Sequence, residues 1–180
     1  MPNFYLLTGC SGAGKSTVLE ALSTQGVATI AEPGRRIVRE EKLTGGDALP
    51  WTNPNLFAER ALAMASDDLH HAATRFDREE PVFCDRGLVD AALALERMGG
   101  VPADKSLAGH PRYEAQVFLF APWRDLYKTD TERQHSFDDA IEEYDAIAAA
   151  LPRLGYTSIL VPKRDVEART QFILDHVEAA

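Results

Sequence analysis

Two cysteines in 180 residues, with no Cys-x-x-Cys pair and no Cys/His spacing of the metal-ligand kind, exclude a disulfide framework and a structural zinc site. Cys10 and Cys84 therefore fit a reducing compartment, and a cytoplasmic protein is expected. Long apolar runs are also missing. The longest near the start, Phe4 to Leu7, has no basic stretch before it, so neither a signal peptide nor a membrane span is expected. Positive charge is in deficit, with 19 Lys and Arg against 28 Asp and Glu and a net charge of −9. Such a composition supplies no overall basic surface for a polyanion, so nucleic acid is not an expected partner. There is no internal repeat and no low-complexity segment, and the length suits one compact domain.

What is present centres on Gly9-Cys10-Ser11-Gly12-Ala13-Gly14-Lys15-Ser16, which fits GxxxxGK[ST] directly after the apolar Phe4-Tyr5-Leu6-Leu7. Glycines let such a loop curl so that its backbone N–H groups face phosphate oxygens, and the helix that follows offers its positive end. Lys15 adds a cation, the Ser16 hydroxyl suits Mg²⁺, and Thr17 adds a further hydroxyl. The pattern implies nucleoside triphosphate binding. Guanine-reading NKxD and the DxxG switch are both absent, which favours ATP over GTP.

Apolar segments at Phe4 to Leu7, Val27 to Ala31, Val82 to Cys84, Val117 to Ala121 and Ile159 to Val161 alternate with helical stripes. That alternation predicts a buried parallel sheet of an α/β fold. The stripes are Phe57 to Phe76, Leu88 to Met98 before Gly99-Gly100, Phe137 to Leu151 after Ser136, and Val166 to Val177 after Asp165. Leu43 to Asn55, with Gly45-Gly46, Pro50 and Pro54, reads as one long loop of the functional or mobile sort, and Gly100 to Pro111 as a second irregular stretch. In an open α/β sheet, ligands bind beyond the carboxyl ends of the strands.

Two strand ends carry chemistry. Val82-Phe83-Cys84 leads into Asp85-Arg86, where Asp85 is a candidate to orient Mg²⁺ and Arg86 stands where ring-forming ATPases carry a water-polarising Glu. Transfer to an acceptor is thereby favoured over hydrolysis. Ala31-Glu32-Pro33-Gly34-Arg35-Arg36 offers Glu32 as a proton acceptor and Arg35 or Arg36 as holders of an anionic group; otherwise it is a Pro-Gly turn with solvated charges. Trp51 and Phe57 can stack on a flat acceptor or pack in the core, and His70-His71 read as surface or packing residues. Cys10 and Cys84 are either a redox-sensitive neighbour pair or two small buried residues.

In this order, Gly9 to Ser16, Glu32-Pro33-Gly34 and Asp85-Arg86 resemble P-loop kinases of the nucleoside and nucleotide kinase group, thymidylate and deoxynucleoside kinases included. With Arg35-Arg36-Ile37, Phe83 to Gly87, Asp90, Tyr127 to Arg133, Ser136 to Asp139 and Leu154-Gly155-Tyr156, the chain resembles the AAA-type ATPase family related to the ribosylnicotinamide kinase domain. The resemblance implies a P-loop NTPase three-layer sandwich, with a five-stranded parallel sheet in the order 2-3-1-4-5 and helices on both faces. It further implies an acceptor-binding insert at about 35–78 and a lid at about 123–135. Within that lid Arg124 and Arg133 would close over the triphosphate, with Arg133 favoured, and Pro162 would lie near adenine.

Three functions follow as expectations. The first is an ATP- and Mg²⁺-dependent kinase of a nucleoside, nucleotide or similar metabolite, a monomer or homodimer, in which Glu32 or Asp85 takes the proton of an acceptor positioned by Arg35, Arg36 and Arg86. Second comes a nucleotide-binding regulatory module with negligible turnover, favoured by the weak acceptor signature; the third is slow ATP hydrolysis, disfavoured by the missing Glu after Asp85.

Overall fold

Five short segments, the central three of them buried on both faces, assemble into one sheet in the computed structural model, which describes residues 1–127 and 136–178. The strands are β1 (Asn3–Gly9), β2 (Ala28–Ile30), β3 (Pro81–Asp85), β4 (Gln116–Phe120) and β5 (Thr157–Leu160), all parallel, in the order β2-β3-β1-β4-β5. The expected P-loop NTPase order is thus the observed one.

Alternation splits the core in two. Phe4, Leu6, Val82, Cys84, Val117 and Leu119 pack on one face of the sheet; Tyr5, Leu7, Phe83, Phe118 and Phe120 pack on the other. The first face is covered by α3 (Pro54–Arg75), α4 (Leu88–Arg97) and α6 (Phe137–Arg153), and the second by α1 (Lys15–Thr24) and α7 (Val166–Glu178). Tyr5 and Phe83 stack across adjacent strands with ring centroids 5.3 Å apart. Cys84 belongs to the first core and Cys10 to the second, so the two thiols do not make a shared redox site. Burial pushes the Cys84 thiol well above its usual range, helped by Asp68 and Asp85, which leaves it inert.

Two segments depart from the sequence reading. Pro33-Gly34 is the first turn of a helix, α2 (Pro33–Thr44), because proline at the first helical position forfeits no hydrogen bond and Ile37, Val38 and Glu41 then turn inward. The stretch after Gly100 contains a one-turn helix, α5 (Ala103–Ser106).

The long loop is consequently shorter, 45–53, and it is pinned. The buried Glu41 carboxylate accepts the Ala48 N–H at 2.8 Å and is paired with Arg60 of α3, while Ala48 itself is 1% exposed. Replacing Glu41 by alanine strands these donors. The expected result is a loss of roughly 1–3 kcal/mol of stability, read by thermal unfolding, with faster proteolysis within 45–53.

Candidate functional site

The chain leaves β1 through three glycines at positive φ, Gly9, Gly12 and Gly14, and enters α1 at Lys15. Gly9 has no room for more: a Cβ there would stand 2.4 Å from the Phe120 carbonyl oxygen. Gly14 is held from behind, since a Cβ would meet the Arg169 guanidinium at 2.7 Å, and that guanidinium donates to the Ala13 carbonyl at 3.0 Å. Arg169 is 3% exposed and lies 5.5 Å from the Trp123 ring centroid.

Lys15 is 5% exposed, and its ammonium donates to the Cys10 carbonyl at 2.7 Å and the Gly9 carbonyl at 3.5 Å. Burial, with Arg86 adding to it, holds Lys15 below its ordinary value against the pull of Asp85, Glu32 and Glu143. Parallel pairing of Leu7 with Asp85 brings the end of β3 beside the loop, and the Ser16 hydroxyl donates to Asp85 Oδ2 at 2.6 Å. The other oxygen, Oδ1, is buried and has no hydrogen-bond partner among the described residues. Burial and the neighbouring Glu32 raise the Asp85 carboxyl, outweighing Lys15, Ser16 and Arg86.

An exposed hydroxyl and a carboxylate oxygen lacking a partner form a hard-oxygen donor pair that fits Mg²⁺. Among the described residues no group of three or more His, Cys, Asp or Glu is arranged to hold a metal unaided. Magnesium that arrives with phosphates needs only one or two protein ligands, so the two observations agree. Thr17 is exposed one residue further along α1.

Arg86 follows Asp85 in the left-handed region, φ 57°, with its N–H on the Leu7 carbonyl at 2.8 Å. This turn aims its guanidinium between three helices. It pairs with Glu143 of α6 (2.8 Å), Asp90 of α4 (3.2 Å) and Glu32 at the head of α2 (3.5 Å). Burial alone would lower Arg86, but these carboxylates reverse the shift and keep it charged. Asp90 accepts the Thr8 hydroxyl at 2.6 Å and is raised above its ordinary value, chiefly by burial.

Beyond Arg86 opens a cavity of about 420 Å³ whose wall includes Ser11 of the loop, Glu32, Gly34, Arg35, Phe57, Arg86, Arg97 and Glu143. Glu32 and Arg35 are bonded at 3.1 Å on this wall. Gly34 lets the Phe57 ring come close, since a Cβ there would be 3.0 Å from Phe57 Cζ. Asp85 is not part of the wall, so of the two candidate proton acceptors Glu32 is the one that faces the cavity.

Several expected residues stand elsewhere. Arg36 pairs with Asp68 at 2.5 Å and does not line the cavity; neither does Trp51, which is 40% exposed with Lys42 Nζ 5.6 Å from its ring centroid. Arg124 lies over the Phe137 ring at 4.3 Å, and Pro162 follows the buried Val161 at the end of β5, half-buried. Arg133 lies outside the described residues. Glu143 and Arg169 were not singled out by sequence, yet both replace an apolar residue on a buried stripe. Glu143 lies between Ala140 and Ile147, and Arg169 between Val166 and Ile173, at helical spacing.

A family model described as an AAA domain matches residues 4–169. No curated protein matches the chain. Among solved structures, thymidylate kinase from Candida albicans superposes over 99% of this chain and 92% of that one, with a TM-score of 0.68 and 14% sequence identity. At that identity the likeness is one of fold. Among the described residues, no helix is long and apolar enough to cross a membrane.

Proposed function

The chain belongs to the AAA domain family, and from that membership and the cavity that opens off its phosphate loop we propose that it is a kinase. It transfers the terminal phosphoryl group of ATP to a nucleoside, nucleotide or similar small metabolite. The observation that carries this reading is the junction itself: Ser11 of the loop, Glu32 and Arg86 share one cavity wall, so a donor phosphate and an acceptor can meet there.

The loop N–H groups and Lys15 cradle the phosphates, with Arg169 supporting the loop from behind. Ser16 and Asp85 would hold Mg²⁺, which supplies charge neutralisation at the outer phosphates. A hydroxyl acceptor forms its bond to the terminal phosphorus as the bond to the ADP oxygen breaks, and its proton passes to Glu32. Phe57 offers an apolar face to a flat acceptor, and Arg35 and Arg97 offer cations to an anionic substituent. Arg124, Arg133 and Pro162 belong to the donor side of this proposal.

Asp85 separates stability from function. Its raised carboxyl means that the charged form is penalised by folding, so stability rises as pH falls through its folded value toward its unfolded one. A neutral isostere removes that penalty at pH 7. Asp85→Asn is therefore expected to raise the melting temperature, by about 2–4 °C per kcal/mol relieved, while weakening Mg²⁺-dependent nucleotide binding in titration calorimetry.

The reading is tested by ADP release from Mg-ATP with a panel of nucleosides, nucleotides and phosphorylatable metabolites. Stimulation by one acceptor class is expected. Release that ignores every acceptor would favour hydrolysis, and tight binding without release would favour a regulatory module.

A further inference from the structure

Glu143 has no part in the reaction just described, yet its carboxylate is fully engaged at the junction. Oε2 accepts the Ser11 N–H at 3.1 Å and Arg86 Nη2 at 3.1 Å, and Oε1 accepts Arg86 Nη1 at 2.8 Å. A planar guanidinium fork beside a loop N–H is the donor set that phosphate oxygens take. Here a side chain of α6 takes it instead. Burial would raise this carboxyl, but Arg86, Lys15 and the Ser11 N–H together hold it below its ordinary value, so it is a carboxylate at neutral pH.

On the kinase reading a terminal phosphate reaches this position, because Ser11 of the phosphate loop and Arg86 both line the cavity. A phosphate arriving with Glu143 in place would meet a like charge within hydrogen-bond range and find the Arg86 fork occupied. The surroundings sharpen the conflict. Glu32, Asp90 and Glu143 already share Arg86. The inner phosphates, held by the N–H groups at the start of α1, would not meet Glu143.

Resting on the kinase reading, we propose that Glu143 is an internal occupant of the terminal-phosphate site, a carboxylate that holds Arg86 and the Ser11 N–H until a triphosphate displaces it. Displacement hands the guanidinium to the transferring group. Glu143 thereby makes the site discriminate triphosphate from diphosphate, since only the longer ligand competes with it.

The test is calorimetric titration of ADP and of a non-hydrolysable ATP analogue, with and without magnesium, into the wild type, Glu143→Gln and Glu143→Ala, each first shown to be folded by circular dichroism. Glu143→Gln keeps the shape and removes the charge. The analogue should bind about tenfold tighter to it than to the wild type, with ADP affinity unchanged, and Glu143→Ala should move the same way. In an Arg86→Gln background the gain should shrink, because the two residues act as a pair. An unchanged ratio of analogue to ADP affinity, or weaker analogue binding to Glu143→Gln, overturns the proposal. Those results leave the kinase reading intact, whereas absence of any nucleotide binding by the wild type defeats both. A raised ratio without acceptor-stimulated turnover would uphold Glu143 and defeat the kinase.

Discussion

Replacing Lys15 by alanine is expected to lower kcat/KM by on the order of 10²–10³-fold, the cost of removing one preorganised donor from a developing anion. The side chain is 5% exposed, and its ammonium is held against the Cys10 and Gly9 carbonyls at the loop mouth. Few other cations can substitute for it. Arg86 acts from the cavity side, where Glu143, Asp90 and Glu32 surround it, and Arg169 faces the back of the loop at the Ala13 carbonyl. Loss of Lys15 also removes the cation that does most to lower the Asp85 carboxyl, which should raise it further. Calorimetry should show weakened ATP binding, and steady-state kinetics the loss of turnover. Lys15→Arg is expected to rescue little, because a planar fork does not fit the space of a compact ammonium between two carbonyls.

Replacing Glu32 by glutamine is expected to lower kcat for a hydroxyl acceptor by on the order of 10²–10⁴-fold, the range of a lost general base. Glu32 is the N-cap residue of α2 but makes no cap hydrogen bond with its side chain, so its carboxylate is directed at Arg35 and Arg86 on the cavity wall. An amide of the same shape preserves those contacts in part and cannot accept the proton. Nucleotide affinity and melting temperature should stay close to wild type. That split distinguishes Glu32 from Lys15, whose loss affects binding as well. An equal fall in ATP affinity would place Glu32 in donor binding rather than proton transfer.

The strands could be read from the chain because burial leaves short continuous apolar runs, whereas their order came only with the resemblance carried by Gly9 to Ser16, Glu32-Pro33-Gly34 and Asp85-Arg86. α2 was harder, since Pro33-Gly34 is as compatible with a turn as with a first helical turn, and only the docking of Ile37 against α3 and α4 decides. Asp85 and Glu32 were legible as carboxylates at strand ends. Arg169 was not, because a stripe traced through apolar residues alone passes over a charge lying on it, and Glu143 was not, because the stripe of Phe137, Ile141, Tyr144, Ala148 and Leu151 runs beside the buried line of Ala140, Ile147 and Ala150. A charged residue on a buried stripe needs a partner, and here the partners are Arg86 and the Ala13 carbonyl, 57 and 156 residues distant in sequence. Trp51 shows the opposite case. Its size suggested an acceptor platform, but the turn between α2 and α3 carries it away from the cavity, where Phe57 stands instead.

The most direct test follows the phosphoryl group itself: ATP labelled at the terminal phosphate, magnesium and the acceptor that best stimulates ADP release, with products separated and counted. Label is expected on the acceptor in proportion to ADP formed, and is expected to be lost in Lys15→Ala and Glu32→Gln. Label appearing only as inorganic phosphate, at a rate that Glu32→Gln leaves unchanged, would contradict the kinase reading.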